Sequence, residues 1–282
     1  MLSFLPTLKI HAWGGLGSQL FAVALASDLS KRLLRRDIVI VLHTGGTTRR
    51  EPEVCELYPE FQYEKIEDFV KIVKKVPISN LALLKQITLR IGKKVAIFYR
   101  FMSEENGETK SRVCPWTVAI RGHYSYRKIT DDFLKELEKR LHRSDAFSAK
   151  LIGLDAVIHY RLGDLLEIEE KSSVNPDRIV NALLSRKLPS DVWIASDSPN
   201  VAREYLKSIS DKFEYNILEL NTTETIWVAS QSKVFIGTSS KVSFWITLLR
   251  SANRVDSVTL MPNEYKEILE ILSEDISNVT YY

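Results

Sequence analysis

The chain has 282 residues, 45% of them hydrophobic, and a formal net charge of +3. That length accommodates one large domain or two ordinary ones, and the small charge, with no segregated basic block, argues against a nucleic-acid-binding protein. No apolar run reaches the length of a membrane span. The two cysteines, Cys55 and Cys114, lie in no metal-ligand spacing and are too few for a disulfide scaffold. We therefore expect a cytoplasmic protein in a reducing compartment.

The first pattern in the chain is a strand, a glycine turn and a helix. Residues 8–13 predict the strand and residues 20–34 the helix, and the segment between them contains Gly14, Gly15, Gly17 and Gln19. Such a segment points backbone N–H groups and a helix N-terminus at an anion such as a phosphate. Because the spacing matches neither the dinucleotide fingerprint nor the P-loop, a tight turn that only packs helix on strand is the alternative.

The end of this helix carries a basic cluster formed by Lys31, Arg32, Arg35 and Arg36. A solvated helix face and a weak peripheral contact with an anionic membrane surface both account for such a cluster. The sequence therefore predicts a cytoplasmic protein, with contact to the inner membrane face as the alternative, and it does not determine the oligomeric state.

Strands and helices continue to alternate up to a polar linker. The next predicted elements are a strand at 37–43, a mostly helical stretch at 66–101, a β-rich run at 113–121 and an amphipathic helix at 131–142. The segment 143–150 lacks apolar periodicity and is interpreted as the linker. Because alternating strands and helices form mainly parallel sheets, we expect an α/β fold with domains at 1–147 and 148–282.

The second half places polar residues directly after a buried strand. The apolar run at 156–158 is followed by His159, Arg161, Gly163 and Asp164. Ligands of open α/β sheets bind at the carboxyl ends of parallel strands, and the guanidinium of Arg161 offers a planar fork of donors suited to phosphate. A structural ion pair at the strand end is the alternative. For Asp164, a role in orienting the arginine is favoured over a role as the catalytic base.

Two further strand ends carry candidate residues. Asp197 follows one predicted strand, where it would accept a hydrogen bond from a ribose or a base, or cap the next helix. Ser239, Ser240 and Ser243 follow the strand at 234–236 and precede or begin a helix, where they would bind phosphate or act as helix caps.

Four stretches, taken in order, resemble one family. Residues 14–21, GGLGSQLF, resemble the GGLGNQLF opening of the α-1,2-fucosyltransferases of glycosyltransferase family eleven. Residues 159–164, HYRLGD, resemble their HxRRGD segment, and the Ser-Asp pair at 196–197 stands where the family carries SDD. Residues 239–245, SSKVSFW, resemble NSxFSWW, and a weaker match relates 122–125, GHYS, to GYxQS.

The resemblance implies a GT-B fold, in which two Rossmann-like domains face across a cleft. The N-terminal domain would take the acceptor and the C-terminal domain the nucleotide sugar. The implied reaction is inverting transfer of L-fucose from GDP-fucose to a glycan, such as a galactoside of a surface polysaccharide or lipopolysaccharide, with no metal and no cofactor. Arg161 and His159 are the catalytic candidates. The implied donor-binding residues are Gly14, Gly15, Gly17, Gln19, Gly163, Asp164, Asp197, Ser239, Ser240 and Ser243.

Several positions depart from the family pattern near the expected donor. They include Ser18, Leu162, Ser198 and Phe244, which replace asparagine, arginine, aspartate and tryptophan. A transferase that uses a different nucleotide sugar and a nucleotide-sugar-binding protein that has lost turnover are therefore the alternatives.

Overall fold

Two units, Met1–Arg127 and Lys128–Tyr282, make up the chain in its computed structural model. The structure describes residues 6–32, 37–45, 51–67, 80–105, 113–143, 151, 153–162, 174–185, 191–206, 214–253, 257–274, 276 and 278–282.

Parallel strands form the sheet of the first unit. The strands described are β1 (Leu8–Trp13), β2 (Ile38–His43), β3 (Gln62–Ile66), β4 (Met102–Glu105) and β5 (Ala119–Gly122), and the helices are α1 (Leu16–Arg32), α2 (Val54–Leu57) and α3 (Asn80–Phe98). The strand order is β3-β2-β1-β5-β4, with every pairing among these strands parallel. β2 has the sequence IVIVLH and is almost wholly buried, as expected for an inner parallel strand.

The second unit is a second parallel sheet. Its described strands are β6 (Ala156–His159), β7 (Val192–Ala195), β8 (Asn216–Leu218), β9 (Val234–Ile236), β10 (Val258–Met261) and β11 (Val279–Tyr281). Its helices are α4 (Asp131–Arg143), α5 (Pro176–Leu184), α6 (Pro199–Leu206), α7 (Thr222–Gln231), α8 (Lys241–Asn253) and α9 (Lys266–Leu272). The strand order is β11-β10-β9-β6-β7-β8. Because β6 is buried between β7 and β9, the residues after it emerge in the middle of the sheet's carboxyl edge.

The α/β class and the parallel sheets predicted from the sequence are confirmed. One difference lies at the N-terminus, where α1 begins at Leu16 rather than after Gln19. The backbone N–H groups of Ser18 and Gln19 both donate to the carbonyl of Gly15, so the predicted glycine segment already contains the first helical turn. Gly14, with a φ of 95°, makes the reversal before that turn in a conformation that favours glycine.

The remaining differences concern weakly patterned strands. The predicted β-rich run at 113–121 forms a strand only from Ala119 onward. β3, β4 and β11 are short and partly polar, so they lack the apolar signal by which β2 and β6 are predicted.

The two units divide at Arg127, earlier in the chain than the boundary expected after residue 147. The reason is that α4 packs within the second unit. The ring of Phe133 lies 5.7 Å from that of Trp245 on α8, and His142 makes an edge contact with Trp227 on α7. Most of the predicted linker lies outside the described residues.

A buried arginine links α8 to the sheet of the second unit. Arg250 is only 1% exposed, and its guanidinium donates to Thr259 Oγ1 at 2.8 Å and to the carbonyl oxygens of Ser232 (2.6 Å) and Val258 (2.9 Å). Because buried donors are costly unless they are hydrogen-bonded, this network fixes the helix against the strand ends. The same helix carries Ser243, which belongs to the candidate site.

Candidate functional site

The carboxyl ends of β6 and β9 are adjacent, and Thr238 links the segments that follow them. Its hydroxyl donates to the carbonyl of His159 at 2.8 Å and accepts from the backbone N–H of Arg161 at 3.0 Å. Thr238 is completely buried. This contact holds the polar segment after β6 beside the turn after β9, as the strand-end argument predicts.

His159 is a buried imidazole whose position is set by a serine on α8. Its Nδ1 lies 2.8 Å from Ser243 Oγ, and the same oxygen accepts from Thr238 N at 3.1 Å. A serine hydroxyl can donate one hydrogen bond and accept two, so this contact is compatible with either neutral tautomer of the imidazole. Burial, together with the nearby positive charge of Arg161, lowers the pKa of His159 to about 3. The imidazole is therefore neutral at physiological pH.

Arg161 lies next to an acidic residue from the neighbouring strand end. Its Nε is 3.9 Å from Asp197 Oδ2, while Asp197 Oδ1 accepts from the backbone N–H of Leu162 at 3.0 Å. Both side chains are about a quarter to a third exposed, at 26% and 31%. Asp197 thus braces the segment after β6, and part of the Arg161 side chain stays exposed. Gly163 and Asp164, which were predicted to complete this segment, lie outside the described residues.

The serines after β9 are engaged within the protein. Ser240 Oγ accepts from the backbone N–H of Val242 at 3.1 Å at the start of α8, and the hydroxyl of Ser239 hydrogen-bonds that of Tyr265. Ser240 and Ser243 are buried, whereas Ser239 is partly exposed. These residues lie at the predicted edge of the sheet, and their direct contact with a donor stays a prediction.

Gly237 is a site residue that the sequence analysis missed. A Cβ added to it would lie 2.2 Å from Met261 Sδ and 3.0 Å from Ser243 Cβ, so a side chain there would displace Met261 and crowd α8. Its carbonyl accepts from the hydroxyl of the terminal residue, Tyr282, at 2.9 Å. A glycine after a buried strand is the only signal that could have identified it.

The C-terminal strand supports this turn through a surface ion pair. Arg178 on α5 forms a bidentate ion pair with Glu264, with N–O distances of 2.7 and 3.1 Å. It also donates to the carbonyl of Tyr282 at 2.9 Å. The hydrogen bond from Arg178 lowers the pKa of Glu264. These contacts hold Tyr282 where its hydroxyl reaches the turn after β9.

The other predicted donor residues, Gly14, Gly15, Gly17 and Gln19, belong to the first unit. The amide Nε2 of Gln19 donates to the carbonyl oxygens of Gly14 (3.1 Å) and Glu51 (2.8 Å), and its Oε1 accepts from the N–H of Val54 (3.2 Å). Gln19 is 2% exposed. It ties the glycine segment to α2, and a ligand contact by its side chain stays a prediction that would require breaking these bonds.

The carboxyl edge of the first sheet carries a stack of aromatic and basic groups, which the sequence analysis also missed. The ring of Trp13 stacks on that of His43 at 4.2 Å, and the guanidinium carbon of Arg121 lies 5.4 Å from the Trp13 ring centre. His11 Nδ1 lies 2.9 Å from His43 Nε2. Burial, followed by the charge of Arg121, lowers the pKa of His11 to about 4, so this imidazole is neutral at physiological pH.

A cavity of about 450 Å³ opens beside this stack. Its lining is Trp13, Lys93, Glu104, Glu105, Arg121, Gly122 and His123. Glu105 is buried against Arg127 at 2.8 Å and Lys93 pairs with Glu104 at 2.6 Å, whereas Arg121 makes no ion pair with any described residue. A Cβ on Gly122 would lie 1.9 Å from the carbonyl oxygen of Glu105, so this wall of the cavity requires glycine. Among its described lining residues, the cavity therefore has one uncompensated cation.

Within the part of the chain that the structure covers, no three His, Cys, Asp or Glu side chains cluster so as to hold a metal ion. Among the helices described there, none combines the length and the apolar character needed to cross a membrane.

No family model matches the chain, and no curated protein matches it in sequence. Solved structures align with it at low identity. The E. coli heptosyltransferase WaaC with ADP aligns over 96% of this chain and 95% of its own, at 12% identity and a TM-score of 0.48. POFUT1 in complex with GDP-fucose aligns over 91% and 98%, at 13% identity and a TM-score of 0.42. A UDP-N-acetylglucosamine 2-epimerase aligns over 94% and 80%, at 12% identity and a TM-score of 0.42. Because these TM-scores are low, the functional assignment rests on the chain's own residues.

Proposed function

We propose that this protein is a glycosyltransferase that moves a sugar from a nucleoside diphosphate sugar to a glycan acceptor. GDP-fucose is the proposed donor, in keeping with the sequence resemblance to α-1,2-fucosyltransferases. In this proposal the donor binds at the carboxyl edge of the second sheet and the acceptor at that of the first.

The proposal rests on the carboxyl end of the central strand β6. His159, a neutral imidazole, ends this strand, Arg161, a partly exposed cation, follows it, and Asp197 from the next strand end braces their segment. This is the edge at which ligands of parallel α/β sheets bind, and a guanidinium and an imidazole N–H are both suitable donors to diphosphate oxygens. The residues that meet there are those that carry the sequence resemblance.

The chemistry requires charge stabilisation at the leaving group. An acceptor hydroxyl oxygen attacks the anomeric carbon, the bond from that carbon to the diphosphate oxygen breaks with inversion, and the hydroxyl proton passes to a base. Negative charge then grows on the departing nucleoside diphosphate. Arg161 would meet this charge through its fork of donors, and the Nε2–H of His159 would add a neutral donor. Metal-independent transfer is part of the proposal because a fixed guanidinium can supply the required positive charge.

The first unit offers a cavity with aromatic and charged lining residues for the acceptor. Sugars present hydroxyl groups and apolar ring faces, and the cavity beside Trp13 combines an aromatic ring with the donors of Arg121 and His123.

A panel of donors tests the proposal. The protein is incubated with GDP-fucose, GDP-mannose, and UDP-, dTDP- and ADP-sugars, and release of the nucleoside diphosphate is measured with and without galactoside acceptors. We expect release from GDP-fucose, stimulation by acceptor and survival of turnover in EDTA. Tight binding of a donor with no release would instead identify a binding protein, and release from another donor alone would reassign the substrate.

A further inference from the structure

Large apolar side chains are exposed together on the first unit, around the C-terminal end of α3. We call them the apolar patch, and its members are Ile91, Val95, Phe98, Tyr99, Phe101 and Trp116. The most exposed is Phe98, at 79%, and each of the others is about half exposed. Isolated exposed apolar residues are ordinary, but contiguous ones mark a site of interaction.

The patch has a defined geometry. Ile91, Val95 and Phe98 are spaced by four and three residues, which places them along one face of α3. The loop that carries Trp116 is bound to the end of the helix, because its indole N–H donates to the carbonyl of Tyr99 at 3.2 Å. The indole ring itself stays half exposed beside that contact.

Basic residues border the patch. The sequence of α3 contains no aspartate and no glutamate, and Arg90 and Lys94 lie exposed one turn apart beside the apolar stripe. Neither forms an ion pair with any residue that the structure describes. Arg100 is exposed just after the helix. Arg90, Lys93, Lys94 and Glu104 also line a groove of about 370 Å³ that contains Ile91 and Ile97. Glu104 pairs with Lys93, so Arg90, Lys94 and Arg100 carry the net positive charge. The surface is therefore apolar at its centre and positive along its margin.

We propose that the apolar patch and its basic margin form a docking surface for an anionic lipid bilayer. An apolar helix stripe flanked by lysine and arginine inserts at the boundary between headgroups and acyl chains, and anionic lipids attract the bases. Tryptophan and tyrosine side chains are favoured at that boundary because one end of each ring system is polar. The patch supplies both residue types beside the stripe.

Charge decides against the most direct alternative, a second copy of this chain. A two-fold symmetric contact would bring the basic margins of both copies together, and no carboxylate on α3 would balance them. An anionic membrane meets the same cations with opposite charge. The bilayer is therefore the occupant that this surface fits.

Docking in this way has a consequence for the acceptor. Lys93 and Glu104 line both the groove on α3 and the cavity beside Trp13, so the two are adjacent on the first unit. A membrane-docked protein would hold that cavity near the lipid surface, where a lipid-linked glycan would reach it. This consequence rests on the proposed function, whereas the docking itself does not.

The experiment uses the full chain and sedimented vesicles of phosphatidylglycerol and phosphatidylcholine, with pure phosphatidylcholine vesicles as the comparison. We expect binding to the anionic vesicles that exceeds binding to the neutral ones at least tenfold and weakens with salt. The variants Phe98→Ser and Arg90→Glu/Lys94→Glu should each lower it at least tenfold. Their matched controls are Ile271→Ser and Lys135→Glu/Lys139→Glu, exposed positions of the second unit that change apolar surface or charge equally and should leave binding unchanged.

A second readout locates the contact. Lipids brominated near the headgroup should quench part of the tryptophan fluorescence of the wild-type chain, and the quenched part should disappear in Trp116→Phe. Equal binding by the Phe98→Ser and Ile271→Ser variants would overturn the proposal. The proposal would also be overturned if the chain did not bind anionic vesicles but formed a concentration-dependent dimer that Phe98→Ser disrupts. Donor turnover is measured on the same preparations, so a failed glycosyltransferase assay leaves the vesicle result independent.

Discussion

Ser243 Oγ lies 2.8 Å from His159 Nδ1 and accepts from the backbone N–H of Thr238, so one buried hydroxyl joins the end of β6, the turn after β9 and helix α8. In the proposed function the Ser243 hydroxyl donates to Nδ1, so that the imidazole proton lies on Nε2. His159 would then be a neutral hydrogen-bond donor to a diphosphate oxygen.

Replacing this serine should destabilise the second unit. Ser243→Ala leaves two buried groups, Thr238 N–H and His159 Nδ1, without their partner, and such a loss costs about 1–3 kcal/mol. We expect that decrease in the free energy of unfolding, measured by urea denaturation. The matched control is Ser230→Ala, since Ser230 is also buried but its hydroxyl donates to Trp227 in its own helix. An equal decrease in the free energy of unfolding for both variants would show that the contact with His159 contributes no more than an ordinary buried serine hydrogen bond.

Stability should fall as the pH is lowered through the range in which unfolded histidine takes up a proton. The pKa of His159 is about 3 in the folded protein, against 6.5 for an unperturbed histidine side chain, so the unfolded state binds the proton more readily below about pH 6.5. One such group contributes a slope of at most about 1.4 kcal/mol per pH unit. The stability that His159 provides is therefore present above pH 6.5 and is lost progressively as the pH falls toward 3.

The histidine contribution can be isolated between pH 6.5 and 5, before carboxylates with lowered pKa values titrate. His11, whose pKa is about 4, should add a similar dependence in the first unit. We expect His159→Asn and His11→Asn each to flatten the plot of unfolding free energy against pH, measured by urea denaturation at intervals. An unchanged slope in His159→Asn would mean that the pKa of this imidazole is the same in the folded and unfolded protein, which would contradict the lowered value.

The cavity of the first unit should govern acceptor affinity. Arg121 is its uncompensated cation among the described residues, so Arg121→Ala should raise the KM for a glycan acceptor at least about tenfold, the effect of losing one charged hydrogen bond, and leave the Kd for the donor unchanged. Initial rates at varied acceptor and calorimetry with GDP measure the two quantities. Arg32→Ala, an exposed arginine of the same unit, serves as the control. A change in the Kd for the donor with an unchanged KM for the acceptor would mean that this cavity binds the donor and not the acceptor.

The elements that the sequence predicts best are those with a local signal. β2 and β6 are continuous apolar runs. The polar residues at the end of β6 are recognisable because polar side chains rarely follow a buried strand unless they have a function. His159, Arg161 and Asp197 were predicted at strand ends, and the structure brings them to one edge of one sheet. The carboxyl ends of parallel strands lie at the same edge of a sheet, so the common position of these residues can be predicted from the sequence.

What the sequence could not predict depends on distant pairs. Thr238 links β6 to β9 through two hydrogen bonds across 77 and 79 positions of the chain, and nothing in its neighbours reveals this role. The stack of Trp13, His43 and Arg121 requires the order β2-β1-β5, which no local pattern specifies. The hydrogen bonds of the Gln19 side chain could not be predicted for the same reason. Its partners near α2, Glu51 and Val54, lie beyond strand β2 in the chain.

The proposed action of Arg161 on the diphosphate of a sugar donor is tested by measuring donor turnover and melting temperature on the same Arg161 variants. We expect Arg161→Ala to lower kcat/KM by at least about 10²–10³, the usual effect of removing a fixed charge-stabilising donor, while the protein stays folded. Arg161→Lys should recover little, because a point charge lacks the planar fork, and Arg203→Ala, an exposed arginine of the same unit, should have no effect. An Arg161→Ala protein with a lowered melting temperature and normal turnover per folded molecule would contradict the claim.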